Sequence, residues 1–301
     1  MTILECPICK TKNISFYTHT KDYQYPKNSD EYAVYRCPDC QILFQHPFPK
    51  PEDFDKIYPK DYYAHVETGK IPFLLNLLDQ FLNNQKWLFK PIKRSVFPYF
   101  NIIKNAEKVL DIGCGKGIFL DILKKSGKET HGLEPDTNAL KILKNKGHHT
   151  FAGDIFTATI EDNSFDLVTM FQVFEHIEEP ACLVHEVYRI LKPGGYFVFE
   201  TPNSASQLAG NKNFWRSLEL PRHLILHSPK SVENLLLKEN FQPEIFVRVS
   251  PGDVKSSYFL KHNMTSPAKR KLISLLLLPY IVFQYLFNAS AGSLLIVIAK
   301  K

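Results

Sequence analysis

The chain has 301 residues, enough for one sizeable domain with an appendage or for two modest domains. Hydrophobic residues make up 44% of it and charged residues 23%, which is typical of a soluble globular protein. The formal net charge of +6 is too small to predict a dedicated nucleic-acid binder, although it permits anionic small molecules or a membrane surface as partners. Residues 1–10 lack the pattern of a signal peptide, so we expect a cytoplasmic protein.

Four of the six cysteines stand in two C-x-x-C pairs near the N-terminus, Cys6 with Cys9 and Cys37 with Cys40. Four thiolates at this spacing fit one tetrahedral Zn²⁺, and two unrelated pairs of reduced cysteines are the plainer alternative. A closed four-thiolate shell has no open coordination position, so such an ion is structural. We therefore predict a zinc-ribbon-like module over residues 1–47. The other two cysteines are expected to be small core residues: Cys114 and Cys182.

Residues 48–104 are predicted to be a connector and a helical segment. Four prolines between residues 44 and 65 exclude one long helix or a central strand, and they favour an extended connector. Apolar residues between 71 and 94 then recur at helical spacing. That helix is expected to pack on the following domain, with a lid over the active site as the alternative.

Strand-like and helix-like segments alternate from residue 105 to residue 301. Buried runs at residues 108–113 and 130–135 are each followed by an amphipathic segment that ends in a glycine, Gly127 or Gly147. Strands that alternate with helices form a largely parallel sheet covered on both faces. The predicted fold class is therefore α/β.

A glycine-rich loop follows the first predicted strand of this region. It contains Gly113, Gly115 and Gly117, and Asp111 stands two residues before the first of them. A dinucleotide site needs G-x-G-x-x-G, and here the third glycine comes one residue early. A carboxylate also repels a pyrophosphate, whereas S-adenosylmethionine has no phosphate and carries an ammonium and a sulfonium group. The loop therefore predicts S-adenosylmethionine as the cofactor, with Asp111 facing its ammonium group.

Residues 105–301 resemble the class I S-adenosylmethionine-dependent methyltransferases in the order of four motifs. These motifs are LDIGCGKG (110–117), the acidic strand end at Glu134, GDIF (153–156) and FQVFEHI (171–177). The resemblance implies a Rossmann-like sheet of seven strands, the last of them antiparallel and inserted beside the fifth.

The same resemblance implies roles for four further residues. Glu134 would hold the ribose hydroxyls of the cofactor, and Asp154 and Ile155 would meet its adenine. The segment that starts at Phe171 would line the methionine end of the cofactor site.

A narrower resemblance covers nearly the whole chain. The two CPxC pairs, FQHPFP, IYPKDYY and the later ETPN and PRHL are together similar to a bacterial group that methylates sugars in surface-polysaccharide or glycan biosynthesis. It implies a sugar, a sugar nucleotide or a lipid-linked glycan as the acceptor. The alternatives are a ribosomal RNA methyltransferase, which the modest charge disfavours, a quinone-type O-methyltransferase with a similar EHI segment, and a non-catalytic assembly partner.

Methyl transfer to a hydroxyl requires a base, a role that suits histidine. Glu175 and His176 follow the fourth predicted strand, and His223 follows the fifth, so all three are expected at the carboxyl edge of the sheet, where ligands bind. We predict that these three residues are catalytic. The alternative for the EHI segment is that it only orders the loop around the cofactor.

Residues near the fifth predicted strand are candidates for substrate binding. Arg222 is predicted to clamp a phosphate or carboxylate, with a salt bridge in a surface loop as the alternative. Asn203 is predicted to form a hydrogen bond with the substrate, with a plain turn residue as the alternative. Phe214 and Trp215 would either stack on a sugar or anchor their loop in the core.

Residues 269–287 combine three basic residues with a mostly apolar run. The run is shorter than the ~18 to 20 residues that span a bilayer, and Pro279 interrupts it. We expect a helical hairpin that packs on the sheet or across a homodimer interface. The alternative is an interfacial anchor on anionic lipid at the inner face of the membrane.

Overall fold

The computed structural model describes residues 4–23, 30–58, 98–277, 279–280 and 292–301. Its strands in chain order are β1 (Ser15–Lys21), β2 (Glu31–Arg36), β3 (Leu43–Gln45), β4 (Lys108–Ile112), β5 (Glu129–Glu134), β6 (His149–Ala152), β7 (Phe165–Phe171), β8 (Leu191–Pro202), β9 (Ile225–Leu226), β10 (Gln242–Arg248) and β11 (Leu294–Lys300). Its α-helices are α1 (Phe54–Ile57), α2 (Phe100–Asn105), α3 (Ile118–Lys125), α4 (Thr137–Asn145), α5 (Pro180–Ile190), α6 (Pro229–Lys238), α7 (Pro251–Lys261) and α8 (Pro267–Leu276).

Seven strands form one sheet in the order β10-β11-β8-β7-β4-β5-β6. The pairs from β8 through β7, β4 and β5 to β6 are all parallel. The last strand, β11, is antiparallel to both of its neighbours and lies between β8, the fifth strand of this sheet along the chain, and β10. The predicted α/β class, the seven strands and the placement of the last strand are confirmed.

Helices cover both faces of this sheet, because its strands are apolar on both sides. α5 and α6 pack on one face through residues such as Leu183 and Val232. α2 and α3 pack on the other face through Ile103 and Phe119. Turn and cap residues start these helices locally; the Asp136 carboxylate, for example, accepts hydrogen bonds from the first backbone N–H groups of α4.

A second, four-stranded sheet has the order β1-β2-β3-β9 and is antiparallel throughout. Three of its strands come from the predicted N-terminal module. The fourth, β9, comes from the segment between β8 and α6, so this sheet joins chain positions about 180 residues apart. Nothing in the local sequence of the two-residue strand β9 indicates this pairing.

The stretch 44–65, predicted to be extended throughout, contains other structure at its start. Phe44 and Gln45 lie in β3, and residues 54–57 form the short helix α1. The helix predicted between residues 71 and 94 lies outside the described residues, as does the connector from residue 59 onward.

The segment 269–287 begins in α8, which confirms a helix at its start, whereas residues 278 and 281–287 lie outside the described residues. Leu277 packs against Val249 and Val254, but the α8 leucines Leu272, Leu275 and Leu276 are 58%, 62% and 65% exposed. No helix among the described residues combines the length and the apolar character needed to cross a bilayer.

Candidate active site

The glycine loop connects β4 to α3 at the carboxyl edge of the seven-stranded sheet. Gly113 has a φ of 67°, and a Cβ atom at this position would lie 2.5 Å from Cγ2 of Val173, so both conformation and space require glycine. Gly115 has a φ of 52°, and no atom lies within 4 Å of where its Cβ would be. The loop therefore leaves bare backbone beside open space, as close approach of a ligand requires.

Two carboxylates from the ends of neighbouring strands flank this loop. Asp111 is 4% exposed and accepts a hydrogen bond of 2.7 Å from the Thr169 hydroxyl. Burial raises the pKa of Asp111 to about 7, and the negative charge of Glu134 adds to the effect. Glu134 accepts hydrogen bonds from the backbone N–H groups of Gly115, at 2.8 Å, and Asp136, at 3.1 Å. A cation that binds here would therefore meet two acidic side chains, one of which, Glu134, is held in place by backbone N–H groups.

The residues predicted to contact adenine lie after β6. Asp154 is exposed, and its Oδ1 accepts from the backbone N–H groups of Phe156 and Thr157. The Ile155 side chain is buried in the main core. Phe156, which the sequence prediction did not include, is 49% exposed next to Asp154. Its position directly after Ile155 in the GDIF motif makes Phe156 a further candidate for contact with adenine.

Phe171, predicted at the methionine end of the cofactor, closes β7. Its ring centroid lies 5.0 Å from that of Phe119 and 6.0 Å from that of Tyr99. The Tyr99 hydroxyl donates to Oε1 of Glu200 at 3.1 Å, and burial raises the pKa of Glu200 to about 7. The Tyr99–Glu200 pair was not predicted, because its members are distant in sequence and belong to no motif.

These features fit S-adenosylmethionine better than a dinucleotide. The glycine loop has open space at Gly115 for a ligand. The buried acids Asp111 and Glu134 favour a cation over a pyrophosphate there. Glu134 is a carboxylate at the end of β5, the kind of acceptor that ribose hydroxyls require. The roles of the individual residues toward the cofactor stay predictions.

The three predicted catalytic residues come together at the same edge of the sheet. Glu175 and His176 form the 3₁₀ turn Phe174–His176 after β7, and His223 lies on the segment before β9. The two histidine rings are 4.9 Å apart in an edge-to-face arrangement. Nε2 of His223 lies 3.9 Å from Oε1 of Glu175, and one ligand-type atom from each of the three residues falls within 4.8 Å of the others.

Backbone carbonyls fix the tautomer of both histidines. Nδ1 of His176 lies 2.8 Å from the Arg222 carbonyl oxygen, and Nδ1 of His223 lies 2.7 Å from that of Ser217. A carbonyl only accepts, so each Nδ1 donates and the neutral ring has its lone pair on Nε2. Burial lowers the pKa of His176, and it lowers that of His223 well below the usual value. Burial therefore favours the neutral form of both rings over the protonated form.

Glu175 is fully buried below these rings. Its Oε2 accepts from the Thr201 hydroxyl at 3.0 Å, while Oε1 has no hydrogen-bond partner among the described residues. Burial raises the pKa of Glu175 to about 8. Of the three residues only His176 is partly exposed, so His176 is the one an acceptor can reach.

Arg222 is placed differently from the prediction of a substrate clamp. Its side chain is fully buried, and its guanidinium donates to both carboxylate oxygens of Asp22, at 2.7 and 2.8 Å, and to Glu219 at 3.0 Å. The carboxylate partner is thus the chain's own Asp22, and the salt bridge is internal rather than in a surface loop.

Asn203, also predicted to contact substrate, is 1% exposed and uses both ends of its amide internally. Nδ2 donates to the Gly292 carbonyl at 2.8 Å, and Oδ1 accepts from the Ala205 N–H. This arrangement is that of a turn residue, which was the alternative interpretation of Asn203. Trp215 is buried and donates to Asp253, so it anchors its loop, whereas Phe214 is 42% exposed.

The four N-terminal cysteines converge as predicted. Sγ of Cys6 lies 3.4 Å from Sγ of Cys40, and Sγ of Cys9 lies 3.6 Å from Sγ of Cys37, too far apart for disulfides. All four sulfur atoms lie within 4.8 Å of one another. Thiolates around a tetrahedral Zn²⁺ have sulfur separations of this size, since each Zn–S bond is about 2.3 Å. The donor set therefore fits a structural zinc ion.

The two remaining cysteines differ in their surroundings. Cys114 packs with Leu120, Leu140 and Leu143, which agrees with the expected filler role. Cys182 is exposed on α5, so the expectation of a core position was wrong. The helical period places Leu183 and Val184 inward and leaves Cys182 on the solvent side.

We predict about one zinc ion per chain by elemental analysis of the purified protein. Cys9→Ser, which removes the most exposed of the four ligands, is expected to lower the zinc content to well below half. Cys182→Ser is the matched control, because it removes an exposed cysteine outside the cluster and should retain all the zinc. A folded wild-type preparation without metal would contradict the assignment.

The chain matches one protein family model, and several known proteins are similar to it. Residues 84–244 match the methyltransferase domain family. A ubiquinone biosynthesis O-methyltransferase from Hydrogenovibrio crunogenus is 26% identical over 184 residues, 58% of this chain and 70% of that protein. One from Paracidovorax citrulli is 35% identical over 106 residues, 33% of this chain and 44% of that protein. A solved SAM-dependent methyltransferase from Archaeoglobus fulgidus is 24% identical, with a TM-score of 0.48, over 75% of this chain and 99% of that one. Because the family match spans just over half of the chain and includes the glycine loop, the protein belongs to the methyltransferase domain family, with S-adenosylmethionine as its methyl donor.

Proposed function

We propose that the protein methylates a hydroxyl group of a small acceptor, and that the acceptor is a hydroxylated aromatic compound of the quinone-precursor type. Two observations support this proposal. The relatives named above are O-methyltransferases of ubiquinone biosynthesis. The candidate site also offers a partly exposed histidine, His176, at the edge of the sheet that carries the glycine loop, and burial favours its neutral form. The second observation carries the proposal, because an O-methyltransferase needs a base for the hydroxyl proton.

The proposed reaction needs a methyl donor and a base, and His176 is the proposed base. S-adenosylmethionine, when bound, supplies an electrophilic methyl group on a good leaving sulfide. His176 would accept the hydroxyl proton of the acceptor at Nε2 and so raise the nucleophilicity of the acceptor oxygen. The Arg222 carbonyl holds Nδ1 of His176 and so keeps Nε2 free of a proton before the reaction. Burial disfavours charge on His176, which helps the histidine return its proton to solvent afterwards.

His176→Ala is expected to reduce turnover by about 100-fold or more, since positioned bases contribute about 10²–10⁴-fold. Binding of S-adenosylmethionine, measured by titration calorimetry, should change little. His185→Ala is the matched control, because His185 is an exposed histidine that pairs with Glu239 away from this cluster, and its turnover should match wild type. Undiminished turnover of His176→Ala would remove His176 from the base role.

A sugar, sugar nucleotide or lipid-linked glycan is the second candidate acceptor. The family match covers residues 84–244 and leaves out the four-cysteine module, which is one of the features that resemble the sugar-modifying group. Incubation with labelled cofactor and a panel of hydroxylated quinone precursors, nucleotide sugars, lipid-linked glycans and ribosomal RNA separates the candidates. Labelling of a quinone precursor alone supports the main proposal, and labelling of a sugar alone overturns it.

We further propose that α8 contacts an anionic lipid surface, where an amphipathic quinone-type acceptor or a lipid-linked glycan would reside. Its exposed leucines stand beside Lys269, Arg270 and Lys271, the combination that binds such surfaces. The protein should co-sediment with phosphatidylglycerol vesicles and only weakly with phosphatidylcholine vesicles. The double variant L275S/L276S should lose the binding. A stable dimer in solution that covers these leucines, with no vesicle binding, would favour the homodimer interface instead.

A further inference from the structure

Residues 221–228, here called the acceptor segment, include one of the two site histidines and contact the other. It contains His223, and the carbonyl of its Arg222 accepts from Nδ1 of His176. The N–H of its Leu224 donates to the Glu175 carbonyl at 2.8 Å. The position of both candidate proton acceptors therefore depends on this segment.

The four-stranded sheet holds the acceptor segment from its other side. Leu43 and Phe44 of β3 pair with Leu226 and Ile225 of β9. The Gln45 backbone N–H donates to the Leu224 carbonyl at 3.1 Å, and its side-chain Nε2 donates to the Pro221 carbonyl at 2.7 Å. Gln45 is 1% exposed, so these bonds form in a water-excluded place where they fix the backbone firmly.

The second C-x-x-C pair contacts the end of the acceptor segment directly, through Cys40. The Ser228 hydroxyl donates to the Cys40 carbonyl at 2.6 Å and also accepts from the Ser231 N–H, which caps α6. The Ile225 side chain shares a buried cluster with Cys6, Cys37, Cys40, Ile42 and Phe44. The four-cysteine site and the acceptor segment thus have a common core, although about 180 residues separate them in sequence.

The cofactor side is held by different bonds. The Gly113 N–H donates to the Leu133 carbonyl, and the Gly115 N–H donates to Glu134, so the glycine loop is tied to β5. β4 and β5 belong to the seven-stranded sheet. The restraints described for the loop come from that sheet.

We infer that the metal-loaded four-cysteine site positions the acceptor segment, and through it His176 and His223, while the cofactor site holds its shape without that metal. The physical reason is that an ion bound by four thiolates fixes both cysteine turns, and Cys40, Gln45 and Ile225 pass this order to the segment. The acceptor role of the histidines rests on the proposed function. The coupling between metal and segment does not.

The test is hydrogen–deuterium exchange of the full-length zinc-loaded protein, before and after zinc is removed with a chelator under reducing conditions. Protection of residues 221–228 should fall by about tenfold or more, and protection of β4 and β5 should stay unchanged. Calorimetric titration with S-adenosylmethionine should give affinities within about threefold in the two states. Neither measurement needs the acceptor, so a failure to find an acceptor leaves the result intact.

Two variants separate local loosening from general unfolding. Cys9→Ser should reproduce the loss of protection, and Cys182→Ser should not. Gln45→Met keeps the zinc ligands but removes the side-chain bond to Pro221, so it should loosen residues 221–224 while zinc content stays at one per chain. Unchanged protection of residues 221–228 after zinc removal would overturn the inference. Equal loss of protection in β4 and β5, with loss of cofactor binding, would overturn it as well.

Discussion

Arg222→Met is expected to lower the free energy of unfolding by about 3–5 kcal/mol, the usual cost of leaving buried charges without their partner. The substitution keeps much of the side-chain volume but removes the fork that binds Asp22 and Glu219, which are 4% and 8% exposed. The protein must then bury the Asp22 carboxylate without this guanidinium or protonate it, whereas Glu219 keeps its ion pair with Arg216. Urea unfolding monitored by tryptophan fluorescence measures the change, since Trp215 lies in the same region.

Arg189→Met is the matched control for this prediction. Arg189 also bridges two carboxylates, Glu186 and Asp162, but its side chain is 29% exposed. Water screens such pairs, so the control should lose less than about 1 kcal/mol. Equal losses in the two variants would show that burial is not what makes the Arg222 network important.

Asp111→Asn is expected to weaken S-adenosylmethionine binding by about tenfold or more, because it removes a buried negative charge from a site for a cation. The Asn side chain keeps the acceptor for the Thr169 hydroxyl, so the loop geometry should survive. Asp136→Asn is the control: it removes a neighbouring charge while Asn caps α4 as well as Asp does. Calorimetry that gives the same affinity for Asp111→Asn and wild type would contradict the charge argument.

The raised pKa of Asp111 adds a pH dependence to the same experiment. Wild-type affinity for the cationic cofactor should fall as the pH drops below about 7, because the carboxyl then takes up a proton. Asp111→Asn should lack that contribution.

Stability should respond to pH in the opposite direction. Between the ordinary pKa of 3.8 and about 7, the unfolded chain ionises Asp111 and the folded chain does not, so the folded state loses stability as pH rises through this window. In the absence of the cofactor, Asp111→Asn should therefore be more stable than wild type at pH 8 and about equally stable at pH 4.

The sequence was most informative where one short stretch of chain contains the whole feature. The glycine loop, the Asp136 cap and the two C-x-x-C pairs each depend on residues a few positions apart, so their spacing determines their geometry. The strand order followed from the family resemblance, because alternating strands and helices alone do not say where the last strand inserts.

The features that were missed depend on contacts between distant parts of the chain. Asp22 lies 200 residues before Arg222, and nothing near either residue indicates that they meet. The same holds for Gln45 and Pro221, which are 176 residues apart. An arginine beside a histidine near a strand end fits a substrate clamp and an internal tether equally well, and only the tertiary fold distinguishes the two.

The pairing of β3 with β9 also has a consequence for synthesis on the ribosome. Translation proceeds at about 5–20 residues per second. Roughly 10–35 s therefore pass between the synthesis of Leu43 and Phe44 and the synthesis of their partners Ile225 and Leu226. During that interval β3 presents an unpaired apolar edge, the kind of surface that recruits foreign strands. We therefore expect the β3 edge to be an aggregation-prone surface of the nascent chain until β9 has been synthesised.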